Sequence, residues 1–126
     1  MKLLVLAEHN NKDLKSSTLS TINAASKIDE NIDVLVVGSS CDNVTKKLQN
    51  VKNIKKVLVV DDLKYENPIA ENISQIILSV AENYTHILAP ASTFGKNIMP
   101  RVAVILDVAQ ISDIIKVENI DTFVRP

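Results

Sequence analysis

The sequence predicts a single three-layer α/β domain in which a mainly parallel, twisted sheet lies between helices. Three observations support this prediction. Short apolar runs recur along the 126 residues, the first four runs are continuous rather than alternating, and a helix-like segment follows each of these four. Continuous runs are typical of strands covered on both faces, and strands that alternate with helices form parallel sheets. We expect a strand order such as 3-2-1-4-5.

Five apolar runs are predicted as strands: Leu3–Ala7, Val34–Val37, Val57–Val60, Ile87–Ala89 and Ile111–Val117. The first and fourth should be neighbouring central strands, because their apolar residues need cover on both faces. Near the end of the sequence, Thr122, Phe123 and Val124 form a β-prone triplet with nothing to end it. This pattern favours a chain that continues beyond Pro126.

Four helices are predicted between the strands. In the first helix the predicted buried face comprises Leu19, Ile22 and Ala25, and the cap comes from Ser16 to Thr18. The second starts at Asp42 with Ser39 or Ser40 as its cap and buries Val44, Leu48 and Val51. The third has Asn67 as N-cap, Pro68 at its first position and a stripe of Ile69, Ile73, Ile76, Ile77 and Val80. The fourth covers Lys96 to Leu106.

Composition excludes several classes of function. Fourteen basic and fifteen acidic residues leave a net charge of −1, which argues against nucleic acid or an anionic membrane surface as the main partner. The single cysteine, Cys41, excludes an internal disulfide and any multi-thiolate metal site, and it fits a reducing compartment. The first residues resemble neither a signal peptide nor a membrane span. We expect a bacterial cytoplasmic protein.

The sequence has only two glycines, Gly38 and Gly95, so a Gly-x-Gly-x-x-Gly dinucleotide fingerprint cannot exist in it. The pair Gly95-Lys96 follows an apolar run, as in a phosphate-binding loop. A Walker loop, however, needs glycine where Pro90 stands and serine or threonine where Asn97 stands. We therefore expect the loop from Ala91 to Lys96 to bind no nucleotide tightly and to serve structure or subunit contact.

Other polar residues follow the predicted strands, where ligands of open parallel sheets gather. Glu8 and His9 should point to opposite sides and form no acid–base dyad. Cys41 is expected to be an inert thiol and His86 a packed or hydrogen-bonding histidine. The pair Asp61-Asp62 is expected to be solvated, and so is the basic cluster of Lys46, Lys47, Lys52, Lys55 and Lys56. No nucleophile, base and oxyanion donor come together, so the residues predict no catalytic, cofactor-binding or metal site.

Several stretches together carry a family resemblance: LLVLAEHN, LVVGSSCDNV, KVLVVDD, YTHILAPASTFGKNIMPRVAVILD and AQISDIIKVENIDTFVRP. The chain resembles the electron transfer flavoprotein alpha subunit over about Lys2 to Pro126. The resemblance implies that residues 1–126 are the first domain, with a Rossmann-like fold of the adenine nucleotide alpha hydrolase type. It also implies a second alpha domain, absent from this sequence, that makes nearly all the FAD contacts.

The resemblance further implies a non-catalytic domain that contacts the beta subunit of a heterodimeric electron carrier. Such a carrier takes electrons from flavin dehydrogenases, for example acyl-CoA dehydrogenases of fatty-acid β-oxidation, and passes them to a membrane quinone reductase. No FAD-contacting residue of the family matches a position here, so no cofactor is expected in these residues alone. By the position of the loop in the fold, the expected subunit contacts are Gly95, Lys96, Asn97, Pro100 and Arg101.

Two alternatives from other classes stay open on the residues. One is a free-standing adenine-nucleotide-binding module of the universal-stress type, which shares an α/β core but uses a glycine-rich loop after its fourth strand. The other is a small thiol enzyme built on Cys41, which a helix N-terminus could activate.

Overall fold

A computed structural model describes residues 2–67, 69–106, 116–117 and 123–124. In chain order, its elements are β1 Leu3–Leu6, α1 Ser16–Ser26, β2 Ile32–Gly38, α2 Asp42–Gln49, β3 Ile54–Asp61, α3 Ala70–Val80, β4 His86–Leu88, α4 Thr93–Leu106, β5 Lys116–Val117 and β6 Phe123–Val124. Two short 3₁₀ turns, Leu63–Tyr65 and Ala81–Asn83, flank α3.

The first four strands form one parallel sheet in the order β3-β2-β1-β4, which confirms the predicted order of these strands. β1 lies between β2 and β4, so β1 and β4 are neighbours as predicted. The predicted fifth strand, Ile111–Val117, falls mostly outside the described residues. Its described end, β5, pairs antiparallel with β6, which includes two residues of the predicted C-terminal triplet.

Helices cover the sheet on both faces, which confirms the three-layer prediction. One core cluster joins alternate residues of β1 and β2, such as Val5 and Val34, to α1 and α2. The other joins the intervening residues, such as Leu4 and Leu35, to α3 and α4. Every residue of β1 and β2 is buried. The continuous apolar runs therefore follow from burial on both sides.

β3 departs from the prediction of a strand buried on both faces. It forms one edge of the sheet, and none of its eight residues is fully buried. An apolar run shows that a strand packs on helices, but it does not show whether a neighbouring strand covers both of its edges.

The predicted buried face of α1 is wrong in one residue, and the predicted caps of α1 and α2 are wrong. Leu19 is 44% exposed, and Thr18 is buried in its place beside Ile22 and Ala25. Lys15 is the N-cap of α1 and provides no side-chain hydrogen bond. The side chain of Thr18 instead pairs with the backbone of Glu8, which fixes the helix against the end of β1. Cys41 is the N-cap of α2 and likewise makes no side-chain capping hydrogen bond.

The starts of α3 and α4 also differ from the predictions. α3 begins at Ala70 with Ile69 as its N-cap, so Asn67 is not the cap; Pro68 lies outside the described residues. Ile69 is exposed, whereas Ile73 and Ile77 are buried. α4 begins three residues earlier than predicted, at Thr93, and contains Pro100 in its interior.

Candidate functional site

The carboxyl end of the sheet holds the polar residues singled out in the sequence, and His9 is at its centre. The ring Nε2 lies 2.9 Å from the carbonyl oxygen of Val37, and Nδ1 accepts a hydrogen bond from the backbone N–H of Asn11. A carbonyl can only accept, so the proton of the neutral ring is on Nε2. Burial lowers the pKa of His9, although the bond to Val37 opposes this effect. Both ring nitrogens are occupied, which leaves no lone pair for acid–base chemistry.

Asn11 connects three loops at this end of the sheet. Its backbone is left-handed, with φ of 72°, a conformation in which asparagine is enriched. Its side chain accepts a hydrogen bond from the N–H of Ser39 and donates one to the carbonyl of Glu66. Gly38 lies directly below, where a Cβ atom would meet Asn11 Oδ1 and approach His9 Cε1 to 2.7 Å. The side chains of His9 and Asn11 therefore fill the space over the end of β2.

Asp61, the last residue of β3, anchors the loop that leads into α2. Its two carboxylate oxygens accept hydrogen bonds from the backbone N–H groups of Ser40 and Cys41, at 2.8 and 3.1 Å. These bonds lower the pKa of Asp61. The N–H groups of Ser40 and Cys41, which immediately precede α2 and could have bound an anion, are already paired with this carboxylate. The expectation of a merely solvated Asp61 is therefore incomplete, since the residue is exposed but hydrogen-bonded.

Cys41 is a neutral, buried thiol. Its Sγ lies 3.4 Å from Asp61 Oδ2, and burial together with this carboxylate raises the pKa of Cys41 to about 11. A thiolate is the reactive form of cysteine. The raised pKa agrees with the expectation of an inert thiol and argues against the thiol-enzyme alternative, because burial and Asp61 oppose the activation expected from the helix N-terminus.

Glu8 and His86 also have structural roles. The carboxylate of Glu8 accepts a hydrogen bond from the hydroxyl of Ser17, and it takes no part in the contacts of His9. These separate contacts agree with the expectation that Glu8 and His9 form no dyad. His86 Nδ1 lies 3.0 Å from the hydroxyl oxygen of Thr85, in agreement with the predicted hydrogen-bonding role.

The Gly95-Lys96 pair lies in the first turn of α4, and its backbone N–H groups are occupied. The N–H of Gly95 points to Ser92 Oγ, and the N–H of Lys96 donates to the Ser92 carbonyl at 2.8 Å. A Cβ atom at Gly95 would overlap the carbonyl oxygen of Pro90. The glycine is therefore explained by the close approach of α4 to the end of β4, without a phosphate.

Four of the five predicted subunit-contact residues share one exposed face of α4, namely Lys96, Asn97, Pro100 and Arg101, whereas Gly95 is buried. Residues four apart lie on the same side of a helix. The face continues to Val104, whose side chain is 78% exposed. On the opposite side, Ile98 and Val102 are buried against the second core cluster. We call Lys96, Asn97, Pro100, Arg101 and Val104 the outer face of α4.

A second polar cluster lies at the amino end of the sheet, and sequence reasoning missed it. Asp33 in β2 is only 1% exposed; its Oδ2 accepts a 2.7 Å hydrogen bond from the hydroxyl of Tyr84 and lies 3.5 Å from Lys2 Nζ. Its Oδ1 has no hydrogen-bond partner among the described residues. Burial and the Asp33 carboxylate raise the pKa of Tyr84, so the hydroxyl stays protonated. The available signal was an acidic residue inside a continuous apolar run.

The sheet order and the helical layers define a three-layer, Rossmann-like α/β domain in which the N–H groups of Ser40, Cys41, Gly95 and Lys96 are used for internal contacts. The family model "Electron transfer flavoprotein domain" matches residues 3–126. The chain belongs to this family. The universal-stress alternative is thereby set aside.

Individual relatives agree with this assignment. The chain is 47% identical over 126 residues to the electron transfer flavoprotein subunit alpha of Pseudomonas aeruginosa, covering 100% of this chain and 41% of the relative. It is 47% identical over 131 residues to the mitochondrial alpha subunit of Dictyostelium discoideum, covering 98% and 37%. For the alpha subunit of Paracoccus denitrificans the identity is 37% over 126 residues, covering 100% and 41%. The chain thus spans about two fifths of these relatives.

The described part of the chain contains neither a membrane-spanning helix nor a candidate metal-binding cluster. None of its helices is long and apolar enough to cross a membrane. Within the same residues, no group of three or more histidine, cysteine, aspartate and glutamate side chains could hold a metal ion.

Proposed function

We propose that this chain is the first domain of an electron transfer flavoprotein alpha subunit and that the domain provides subunit contact rather than redox chemistry. The observation that carries this proposal is the 47% identity to the Pseudomonas aeruginosa alpha subunit over the whole chain. Because the chain covers only 41% of that relative, we assign the FAD of the complete protein mainly to a C-terminal domain outside these residues.

In this proposal the complete protein is a heterodimer with a beta subunit and acts as an electron carrier, not as an enzyme. Flavin dehydrogenases such as acyl-CoA dehydrogenases donate the electrons, and a quinone reductase receives them. The bacterial relatives favour a bacterial cytoplasm as its location. The internal pairing of His9, Asp61 and the Gly95 amide supports a structural role, since these groups are engaged within the domain.

The outer face of α4 is the proposed contact with the beta subunit. It combines exposed apolar surface at Pro100 and Val104 with the cations Lys96 and Arg101. Apolar surface bordered by polar groups is the usual composition of a protein interface. Gly95 supports this face from below, because its lack of a side chain lets α4 approach Pro90.

Expression of the chain alone and within a complete heterodimer tests the division of roles. The 126-residue chain should purify colourless, whereas the gene extended beyond Pro126 and expressed with a beta subunit should give a yellow heterodimer. Stoichiometric FAD on the isolated chain would contradict the proposal. Calorimetry of the isolated chain with AMP and ATP should show no binding tighter than about 0.1 mM.

Charge reversal tests the outer face of α4. In the heterodimer, Lys96→Glu and Arg101→Glu should each lower the yield of assembled protein about tenfold, which corresponds to about 1.4 kcal/mol. The flavin spectrum of the protein that still assembles should be unchanged. Lys12→Glu, a reversal at an exposed loop residue, is the matched control and should assemble normally. Normal yields for both α4 variants would remove the interface role.

A further inference from the structure

Within the part of the chain that the structure describes, β3 leaves one edge of the parallel sheet without a partner. Among the described residues it pairs only with β2, although it is eight residues long. Such an edge presents a row of backbone N–H and C=O groups to the surroundings. Val59, near the middle of the strand, is 43% exposed, so apolar surface accompanies the unpaired edge.

The sequence along this edge is self-complementary in charge. Residues 55–62 read KKVLVVDD, with two lysines at one end, four apolar residues in the centre and two aspartates at the other end. All four charged residues are exposed, and neither lysine forms an ion pair with a described carboxylate. A second copy aligned in parallel would place lysine against lysine and aspartate against aspartate. An antiparallel copy would place each lysine end against an aspartate end.

We propose that β3 pairs antiparallel with β3 of a second copy of this chain, so that two sheets join across a two-fold axis. The axis lies perpendicular to the sheet at Leu58, which places Val57 of each copy opposite Val59 of the other. This axis places the α1–α2 faces of both sheets on one side of the dimer and the α3–α4 faces on the other side. Val57 packs on the α1–α2 side and Leu58 on the α3–α4 side, so the cross-strand neighbours share a face as antiparallel pairing requires.

The same register brings the charged ends of the two copies together. Lys55 lies opposite Asp61 of the second copy, and Lys56 lies diagonally across from Asp62. Opposite charges in these positions stabilise an antiparallel pair, and long side chains reach the diagonal neighbour. Each contact occurs twice because the interface is symmetric. Asp61 keeps its bonds to the N–H groups of Ser40 and Cys41, since a carboxylate can accept about four hydrogen bonds.

The edge lysines select the orientation of the pair. Lysines on edge strands ordinarily discourage strand pairing, and here they exclude the parallel arrangement. Lys55 also has no partner in β2, where the register shifts by one residue. This irregularity ends the regular backbone ladder at Lys56, so the backbone pairing covers Lys56–Val60 and the Lys55–Asp61 side-chain contacts flank it. We therefore expect a small, closed dimer with a dissociation constant of about 10 μM.

The proposed dimer is independent of the subunit contact proposed above. β3 lies at the opposite edge of the sheet from β4, and α4 follows β4. Loss of heterodimer assembly in the α4 variants would not alter the edge of β3. Conversely, a monomeric isolated chain would leave the family assignment and the FAD division untouched.

Sedimentation equilibrium of the isolated chain tests the proposal. The wild-type chain should dimerise at low salt, and raising the salt from about 0.05 to 0.5 M should weaken the dimer severalfold, because exposed charges are screened. Lys56→Glu and Asp62→Lys should each weaken it about tenfold. Lys52→Glu, an equal charge change at an exposed lysine outside the strand, should not.

An equimolar mixture of the two variants gives the decisive test of the proposed pairing. Lys56→Glu and Asp62→Lys each bring like charges together in their own dimers, but an equimolar mixture pairs opposite charges at both ends of the strand. Dimerisation should therefore return to within about threefold of wild type in the mixture. A wild-type chain that stays monomeric at about 0.5 mM would overturn the proposal. So would equal weakening by Lys52→Glu, or a mixture that remains monomeric.

Discussion

The two ends of the parallel sheet satisfy their polar groups in different ways. At the carboxyl end, His9, Asn11 and Asp61 bond to backbone groups of neighbouring loops. At the amino end, Asp33 Oδ1 is the only buried side-chain oxygen or nitrogen of the described residues without a hydrogen-bond partner. Ligands of such sheets usually bind at the carboxyl end. The comparison shows that the carboxyl end of such a sheet forms a ligand site only when its hydrogen-bond donors are not already paired within the protein.

The largest effect is expected where α4 meets the carboxyl end of the sheet. Gly95→Ala should lower the free energy of unfolding by about 3 kcal/mol, because the added Cβ would overlap the backbone carbonyl of Pro90, which cannot rotate away. Gly38→Ala should cost less, about 1 kcal/mol, because its Cβ would meet the ends of the Asn11 and His9 side chains, which can move.

Urea unfolding of both variants measures this difference. If Gly95→Ala were no more destabilising than Gly38→Ala, α4 would not be held against Pro90 as tightly as described. The loop would then have room for a ligand, and the contrast between the two ends of the sheet would weaken.

The second effect concerns the amino end, where one donor supports a buried carboxylate. Tyr84→Phe should lower the free energy of unfolding by about 2 kcal/mol, because Asp33 loses its 2.7 Å hydrogen bond and keeps only Lys2 at 3.5 Å. Tyr65→Phe is the matched control. The Tyr65 hydroxyl makes no hydrogen bond with the described residues, so this change should cost less than about 0.5 kcal/mol. If both variants lost the same free energy of unfolding in urea, the Asp33–Tyr84 hydrogen bond would contribute no more to stability than the Tyr65 hydroxyl does.

The sequence predicted the sheet and its layers better than the contacts of the site. Val5 and Val34 belong to continuous apolar runs, and burial on both faces follows directly from that pattern. The contact of Asp61 with the start of α2 could not be predicted in this way, because Asp61 lies 20 residues after Cys41 in the chain and reaches it only through the pairing of β2 with β3. Local rules favoured Ser39 or Ser40, whereas the tertiary fold supplied a carboxylate.

Two further contacts at the carboxyl end of the sheet show the same limit. Asn11 looked like an ordinary loop residue, and its role depends on Ser39 and Glu66 from two distant loops. The close approach of Pro90 to Gly95 likewise arises from tertiary packing, whereas the sequence showed only the resemblance to a phosphate loop. The Gly95-Lys96 pair in the sequence marks the position of a tight contact, and the close approach of Pro90 explains why glycine stands there.

The smallest effect is the pH dependence of the network at the carboxyl end. The folded state lowers the pKa of His9 below 6.5, so the unfolded chain binds the proton more readily. The stability contributed by neutral His9 is fully present above pH 6.5 and is lost as the pH falls through 6.5 towards the lower pKa of the folded state. Protonation of Nδ1 would remove the acceptor used by the Asn11 N–H.

His9→Gln separates this contribution from the titration of the carboxylates. Unfolding free energies measured between about pH 8 and pH 5 should fall more steeply for the wild type than for His9→Gln. The difference should not exceed about 1 kcal/mol, because water partly screens the half-buried ring. Parallel curves for the wild type and His9→Gln would mean that the ring is not held neutral between Val37 and Asn11, and the carboxyl end would then contain a free titrating group.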